Sequence, residues 1–269
     1  MASSTAIERF RDAASSYLHD ERFSDFSLVC EGKEFRVHRC FIAAHSKWFE
    51  VACGGMFKEA SSQMVELHND QLAVAERMIS FFYTCDYDDG IEATTPVPKS
   101  RDRQPRSKLQ MNAWVYAIAE KYEVASLETL AVEKFAKATA EAAHIFSVLM
   151  PATYTVYKLL QLPATDRTLK NTLVAMWMLG GNEVMPKKEE ALHSFAAVVP
   201  EFMGDLTKAL LNGGKGSVRQ QCKQCGLVHE AAPGAVTLGA FRCARNGCFS
   251  TESKEDLTVT STVTVTKLW

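Results

Sequence analysis

Phe26-Ser27-Leu28-Val29-Cys30-Glu31-Gly32-Lys33-Glu34-Phe35-Arg36-Val37-His38-Arg39 is the stretch on which the fold turns. Phe26 to Cys30 and Glu34 to Val37 are β-prone runs, and Gly32 between them supplies the positive φ that a tight hairpin turn needs. From Arg39 to Cys53 the apolar period becomes helical. Phe41, Ala44, Trp48, Phe49 and Ala52 share one broad face, and Gly54-Gly55 ends it. Upstream, Ile7, Phe10, Ala14, Tyr17 and Leu18 recur at spacings of three and four, which predicts an amphipathic helix over 5–18, with Ser3 or Ser4 to cap it. A hairpin enclosed by helices makes this region α+β.

Further out, Met64 to Leu67 reads as a short strand. Asn69 or Asp70 then caps a helix lined by Leu72, Ala75, Met78, Ile79, Phe82 and Tyr83. The pattern breaks over 86–108, where acidic residues and Gly90 lead into Thr94-Thr95-Pro96-Val97-Pro98 and then Arg101, Arg103 and Arg106, the composition of a flexible surface insertion. Those arginines are more simply solvated than phosphate-binding. Helical stripes return with Trp114, Ala117, Ile118 and Tyr122, and again from Ser126 to about Ala138 with Leu127, Leu130, Ala131 and Phe135. Beyond Ala140 the chain stays helical, with breaks expected at Pro151, Pro163, Pro186 and Pro200 because proline cannot donate within a helix. The best pieces are Asp166 to Leu179 and Glu189 to Val199, and the whole reads as a bundle of about four or five helices. Asn212-Gly213-Gly214-Lys215-Gly216-Ser217 is a linker, and the alternating Thr/Val tail from Leu257 to Val265 has the period of a strand. The expected division is therefore 1–139 with an insertion at about 88–108, a helical extension over 140–212, a linker over 213–219 and a cysteine-rich module over 220–269.

The composition, 47% hydrophobic and 23% charged with 30 Lys+Arg against 32 Asp+Glu, is that of a folded protein with no global attraction to nucleic acid or anionic lipid. No run approaches the ~18 apolar residues that a membrane helix requires, so no membrane partner is expected. Met1 to Arg11 lacks the apolar core of a signal peptide, and the expected location is cytoplasm or nucleus. In such a reducing compartment the eight cysteines are not expected to form disulfides.

The first half resembles the BTB/POZ domain. The resemblance rests on Phe23-Ser24-Asp25-Phe26, Phe35-Arg36-Val37-His38-Arg39, Ser46-Lys47-Trp48-Phe49 and Phe57-Lys58-Glu59. It continues through Val65-Glu66-Leu67, Phe81-Phe82-Tyr83-Thr84-Cys85-Asp86-Tyr87 and Val115-Tyr116-Ala117-Ile118-Ala119-Glu120-Lys121-Tyr122. Tyr87-Asp88-Asp89 followed by an insertion is similar to fungal forms of the domain. The resemblance implies a small sheet flanked by helices and a non-enzymatic interaction module. It also implies a homodimer with Ile7, Phe10, Ala14 and Leu18 at the seam, beside a charged pair, Asp25 and Arg39, which would otherwise be purely structural. Phe57-Lys58-Glu59 is similar to the hydrophobic-x-Glu signature of cullin-binding relatives, which would make the chain an adaptor that brings an unknown protein substrate to a ubiquitin ligase. Otherwise Phe57 closes the core and Glu59 is solvated. The runner-up is a transcriptional or chromatin regulator touching nucleic acid through its C-terminal module.

Cys40, His45 and Cys53 raise the question of a thiol enzyme. Cys53 lies at the end of a helix, where the dipole disfavours a thiolate, and Cys40 and His45 are five residues apart on different sides. No catalytic residue is expected. The second cysteine group reads Cys222-x2-Cys225, seventeen residues, then Cys243-x4-Cys248. Two cysteine pairs at this separation can close a tetrahedral thiolate site for Zn2+, with Gly226 and Gly247 placed for tight turns and His229 as an alternative ligand. The expectation is a small zinc-ribbon-like module, as against buried or redox-labile thiols.

Overall fold

The computed structural model describes residues 4–55, 61–91, 104–142, 146–184, 189–211, 218–221 and 228–231. The chain divides into two compact units, Met1–Lys134 and Phe135–Trp269.

The first unit is built on the predicted hairpin. Strands β1 (Phe26–Cys30) and β2 (Lys33–Val37) pair antiparallel, and β3 (Met64–Glu66) joins β1 in parallel, giving the order β2-β1-β3. Cys30 stands opposite Lys33, so Glu31 and Gly32 alone make the turn, both at positive φ (48° and 82°), the geometry that matches strand twist. Phe26, Leu28 and Cys30 of β1 are buried with Val37 and Val65. On the other face Ser27 donates to Glu34 Oε1 (2.7 Å) and accepts from Arg36 Nη1 (2.7 Å).

Helix α1 (Ser4–Ser15) ends three residues earlier than the apolar spacing predicts, passing into hydrogen-bonded turns at Tyr17 and Leu18. The single helix expected over 39–53 is two, α2 (Arg39–His45) and α3 (Lys47–Gly54). Ser46 separates them in extended geometry (φ −142°, ψ 123°), because its hydroxyl accepts from Phe49 N (3.0 Å) and donates to the carbonyl of Tyr122 (2.6 Å). A capping serine bonded to a distant segment outweighs continuity of the apolar stripe.

Helix α4 (Leu72–Thr84) is not capped by Asn69 or Asp70. Asn69 takes a left-handed φ of 63°, and the Asp70 carboxylate instead accepts from Lys121 Nζ (2.7 Å) and Tyr122 Oη (2.6 Å). The N-cap is Gln71, which makes no side-chain cap bond. Ser107 caps α5 (Lys108–Lys121) through Gln110 N, and α6 (Ala125–Ala142) begins one residue before the serine expected to cap it.

Both described roots of the insertion are fastened. Arg77 donates to the carbonyls of Asp88 and Gly90 (3.1 Å each), and Arg106 N donates to Gln110 Oε1 (2.9 Å). Buried Tyr87 donates to Asn112 Oδ1 (2.7 Å), Asn112 in turn donates to Asp89 (3.0 Å), and Lys134 lies 4.1 Å over the Tyr87 ring while pairing with Asp86 (2.6 Å). Burial drives the Tyr87 phenol far above its ordinary range, with help from Asp89 and Asp86.

The second unit contains α7 (Phe146–Tyr154), a π-helical turn (Thr155–Leu159), α8 (Thr168–Val184), α9 (Glu189–Val198) and α10 (Pro200–Leu211). Pro151 does not break the chain as expected: it sits inside α7 between buried Leu149 and Ala152, and the widened turn follows it. Apolar burial here offsets the lost backbone hydrogen bond. Pro200 stands at the first position of α10, where its missing N–H costs nothing. Trp177 centres the core, stacked on Phe195, packed on Phe202, and donating to Thr153 Oγ1 (3.0 Å). Asp205 accepts from Tyr157 Oη (2.8 Å) and Arg167 Nη2 (2.6 Å). A second sheet pairs β4 (Val218–Gln221) with β5 (Val228–Ala231), antiparallel. No strand was expected there, and β4 begins inside the expected linker.

Both polar atoms of the Gln71 side-chain amide are buried without a partner, while the first turn of α4 lacks a side-chain acceptor. Gln71→Ser supplies the acceptor and removes the amide. Urea unfolding is expected to show a gain of about 1 kcal/mol, and an unchanged midpoint would mean that the cap is not limiting.

Candidate interaction surface

The N-terminal arm, residues 4–25, is held to its own unit along one side only. Helix α1 packs on α4, and Ala14 is buried. Tyr17 meets His38 edge-on (5.4 Å between centroids) and lies 6.3 Å from Phe41. His38, buried as the last residue before α2, donates from Nε2 to the carbonyl of Arg22 (2.8 Å), and its Nδ1 lies 2.9 Å from the Tyr83 hydroxyl. Burial pushes the Tyr83 phenol up to about 12, so it keeps its proton. Asp20 accepts from the backbone and side chain of Arg22, whose guanidinium pulls that carboxyl down to about 2. Asp25 N donates to Val37 O (3.2 Å), joining the arm to the sheet.

The other side of the arm is uncovered among the described residues. Phe10 is 74% exposed, and Phe23, held at φ 64°, is 81% exposed. A phenylalanine on a rigidly attached arm presents apolar area with little conformational entropy left to lose on association.

Among the residues expected at the seam, Phe10 faces out, Ala14 is buried within its own unit and Leu18 is intermediate. The side chain of Ile7 lies outside the described residues, as do Phe57, Glu59, Cys222, Cys225, Cys243 and Cys248, while His229 stands in β5 opposite Gln220. Asp25 and Arg39 do meet, but not as a buried ion pair. Their side chains are 55% and 30% exposed and approach to 4.0 Å. The closer contact runs from Arg39 N to Asp25 Oδ1 (2.8 Å), an acceptor for the start of α2. The Arg39 guanidinium donates to Cys53 O (3.2 Å) and lies 5.2 Å over the Phe26 ring, while its Nε, the atom 4.0 Å from Asp25, is buried without a hydrogen-bond partner. The family resemblance singles out both residues, but backbone capping is invisible to it.

Cys40, His45 and Cys53 have separate surroundings. Burial pushes the Cys53 thiol up to about 11, against the pull of Arg39. Burial also lowers His45, whose ring packs on Phe81 and Phe82. Among the described residues no group of three His, Cys, Asp or Glu side chains could hold a metal ion.

Residues 15–139 match the family model described as BTB/POZ domain. The BTB and MATH domain-containing protein 15 of Caenorhabditis elegans is 25% identical over 127 residues, covering 43% of this chain and 46% of that protein. Kelch-like protein 21 of Danio rerio is 34% identical over 65 residues, 24% of this chain and 11% of the relative. Zinc finger and BTB domain-containing protein 41 of Mus musculus is 33% identical over 76 residues, 26% of this chain and 8% of the relative. The chain thus spans under half the length of each. Residues 15–139 thus form a BTB/POZ domain, and BTB domain proteins mediate protein–protein interaction.

Asp25→Asn retains an oxygen for the Arg39 N–H, and a half-exposed pair at 4.0 Å adds little. Asp25→Ala is therefore expected to cost about 1 kcal/mol in urea unfolding and Asp25→Asn clearly less. Equal losses would assign the effect to charge instead.

Proposed function

We propose that the chain is a non-enzymatic adaptor that dimerises through the outer side of its N-terminal arm and presents a protein substrate to a cullin-type ubiquitin ligase. The observation that carries the reading is the one-sided attachment of the arm: inner contacts fix α1, and Phe10 and Phe23 face outward from it. A second copy of the chain is the occupant that this patch fits. An isologous two-fold contact covers the same apolar residues on both protomers, and BTB domains typically homodimerise. The charged pair beside the arm, Asp25 and Arg39, lies at the edge of this seam. Some BTB domains bind cullin, and Phe57-Lys58-Glu59, between α3 and β3 in the chain, supports that role.

Light scattering on the full chain at micromolar concentration is expected to give the mass of a dimer. Because each substitution enters a two-fold seam twice, and burying a phenylalanine is worth about 1.5–3 kcal/mol, Phe10→Asp is expected to weaken association by well over about tenfold with unfolding unchanged. A parent monomer, or a variant that dimerises like the parent, would overturn the reading. For the cullin contact, a folded and dimeric Glu59→Arg variant is expected to lose cullin in a pull-down with purified components, and full retention would remove Glu59 from the contact.

The second reading, a transcriptional or chromatin regulator, is supported by the similarity to zinc finger and BTB domain-containing protein 41 and by the C-terminal cysteines. A DNA affinity that falls steeply with salt and disappears without residues 213–269 would favour it.

A further inference from the structure

The turn that joins the arm to β1 is closed by Ser24 N donating to Glu21 O (3.0 Å), which makes Phe23 its third residue, at φ 64°. A positive φ in third place is the position that type II turns give to glycine or asparagine, because other side chains are strained there. Of the six non-glycine residues at positive φ among the described residues, Phe23 is the only aromatic one. Glu31 makes the β1–β2 turn and Cys85 ends α4, so their conformations answer to the fold. Phe23 is different. Its side chain is 81% exposed and returns little apolar burial to its own chain.

The turn is pinned on both sides of this residue. The carbonyl of Arg22 accepts from His38 Nε2 (2.8 Å), and Arg22 N donates to Asp20 Oδ1 (3.0 Å). The carbonyl of Ser24 accepts from Arg36 Nη2 (3.3 Å), and Asp25 N donates to Val37 O (3.2 Å). The strain at Phe23 is therefore fixed by its surroundings, and the ring is aimed outward by backbone that cannot swing away. A residue that breaks the local rule for its turn and adds nothing to the core points to a role outside its own chain.

We infer that Phe23 is the affinity anchor of the two-fold seam, held toward the second copy although it destabilises its own chain. This rests on the reading that a second copy covers the arm, and it adds a residue that the family resemblance does not place at the seam. The charges around Phe23 suit that occupant. Arg22 bonded to Asp20 precedes it, and Asp25 beside Arg39 follows it, so each flank carries both signs. Such a surface can meet a rotated copy of itself without setting like charges together. An anionic partner would instead meet Asp20 and Asp25, and a cationic one Arg22 and Arg39. Stability and association therefore move in opposite directions at this one position.

The test uses the full chain. In sedimentation equilibrium, Phe23→Gly and Phe23→Asn are expected to weaken self-association by more than about tenfold, and Phe23→Leu, which keeps an apolar side chain, by much less. Urea unfolding is then compared in the Phe10→Asp background, where the seam is open and association no longer adds to stability. There both Phe23→Gly and Phe23→Asn are expected to raise the midpoint, since both residues accept a positive φ, and asparagine does so without the added freedom that glycine gives the unfolded chain. An unchanged or lower midpoint for Phe23→Asn would make Phe23 a residue of its own fold and overturn the inference. Parental association in the Phe23→Gly and Phe23→Asn variants, with Phe10→Asp still breaking the dimer, would overturn the anchor and leave the reading of the arm intact. A parent that stays monomeric would leave the patch to a different protein, and this result, like a Phe10→Asp chain that dimerises as the parent does, would overturn both.

Discussion

Tyr122 is where the first unit is locked. Its ring stacks on Phe49 (5.3 Å) and meets Trp48 edge-on (4.9 Å). Its carbonyl accepts from Ser46, and its hydroxyl donates to Asp70. One residue at the end of α5 thus fixes the break between α2 and α3 and the approach to α4. Burial, reinforced by Asp70, raises its phenol far above the ordinary range, so the donor persists at every physiological pH. Lys121 adds bonds to Asp70 and to the carbonyl of His68, giving the Asp70 carboxylate two partners in a nearly enclosed position. Removing one member of such a set strands the others, so its stability is collective.

That lock matters for function because the arm is attached to what it holds. Phe81, Phe82 and Tyr83 on α4 are buried, with Phe82 packed on Phe49 and Tyr83 bonded to His38. His38 carries the constraint to Arg22, and Arg22 to Asp20. A continuous series of packed rings and hydrogen bonds therefore runs from the core to the base of the arm. The outward phenylalanines project from a fixed frame, which suits the proposed contact with a second copy.

Local signals in the sequence carry much of this. The hairpin is readable because Gly32 and the two β-prone runs are contiguous, and the long helices because their stripes are. The failures share a cause, which is a partner distant in sequence. Ser46 breaks a helix because Tyr122 is 76 residues away in the chain and close in space. Asp70 leaves its expected capping role for Lys121 and Tyr122, and Asp25 serves a backbone N–H fourteen residues on. Pro151 is tolerated because its neighbours are buried, which periodicity alone does not reveal. The strands β4 and β5 escape notice because Arg219-Gln220-Gln221 and His229-Glu230 lack apolar alternation. At the candidate surface the family resemblance assigns Phe10 and Ala14 to one seam, and the structure exposes Phe10 while burying Ala14 within its own unit.

The central claim is that a second copy covers the outer side of the arm, and amide hydrogen exchange followed against concentration tests it most directly. If the claim is right, amides of α1 (Ser4–Ser15) exchange slowly at high concentration and faster on dilution through the dissociation range, while those of α5 (Lys108–Lys121) do not change. Exchange in α1 that is the same at every concentration would contradict it.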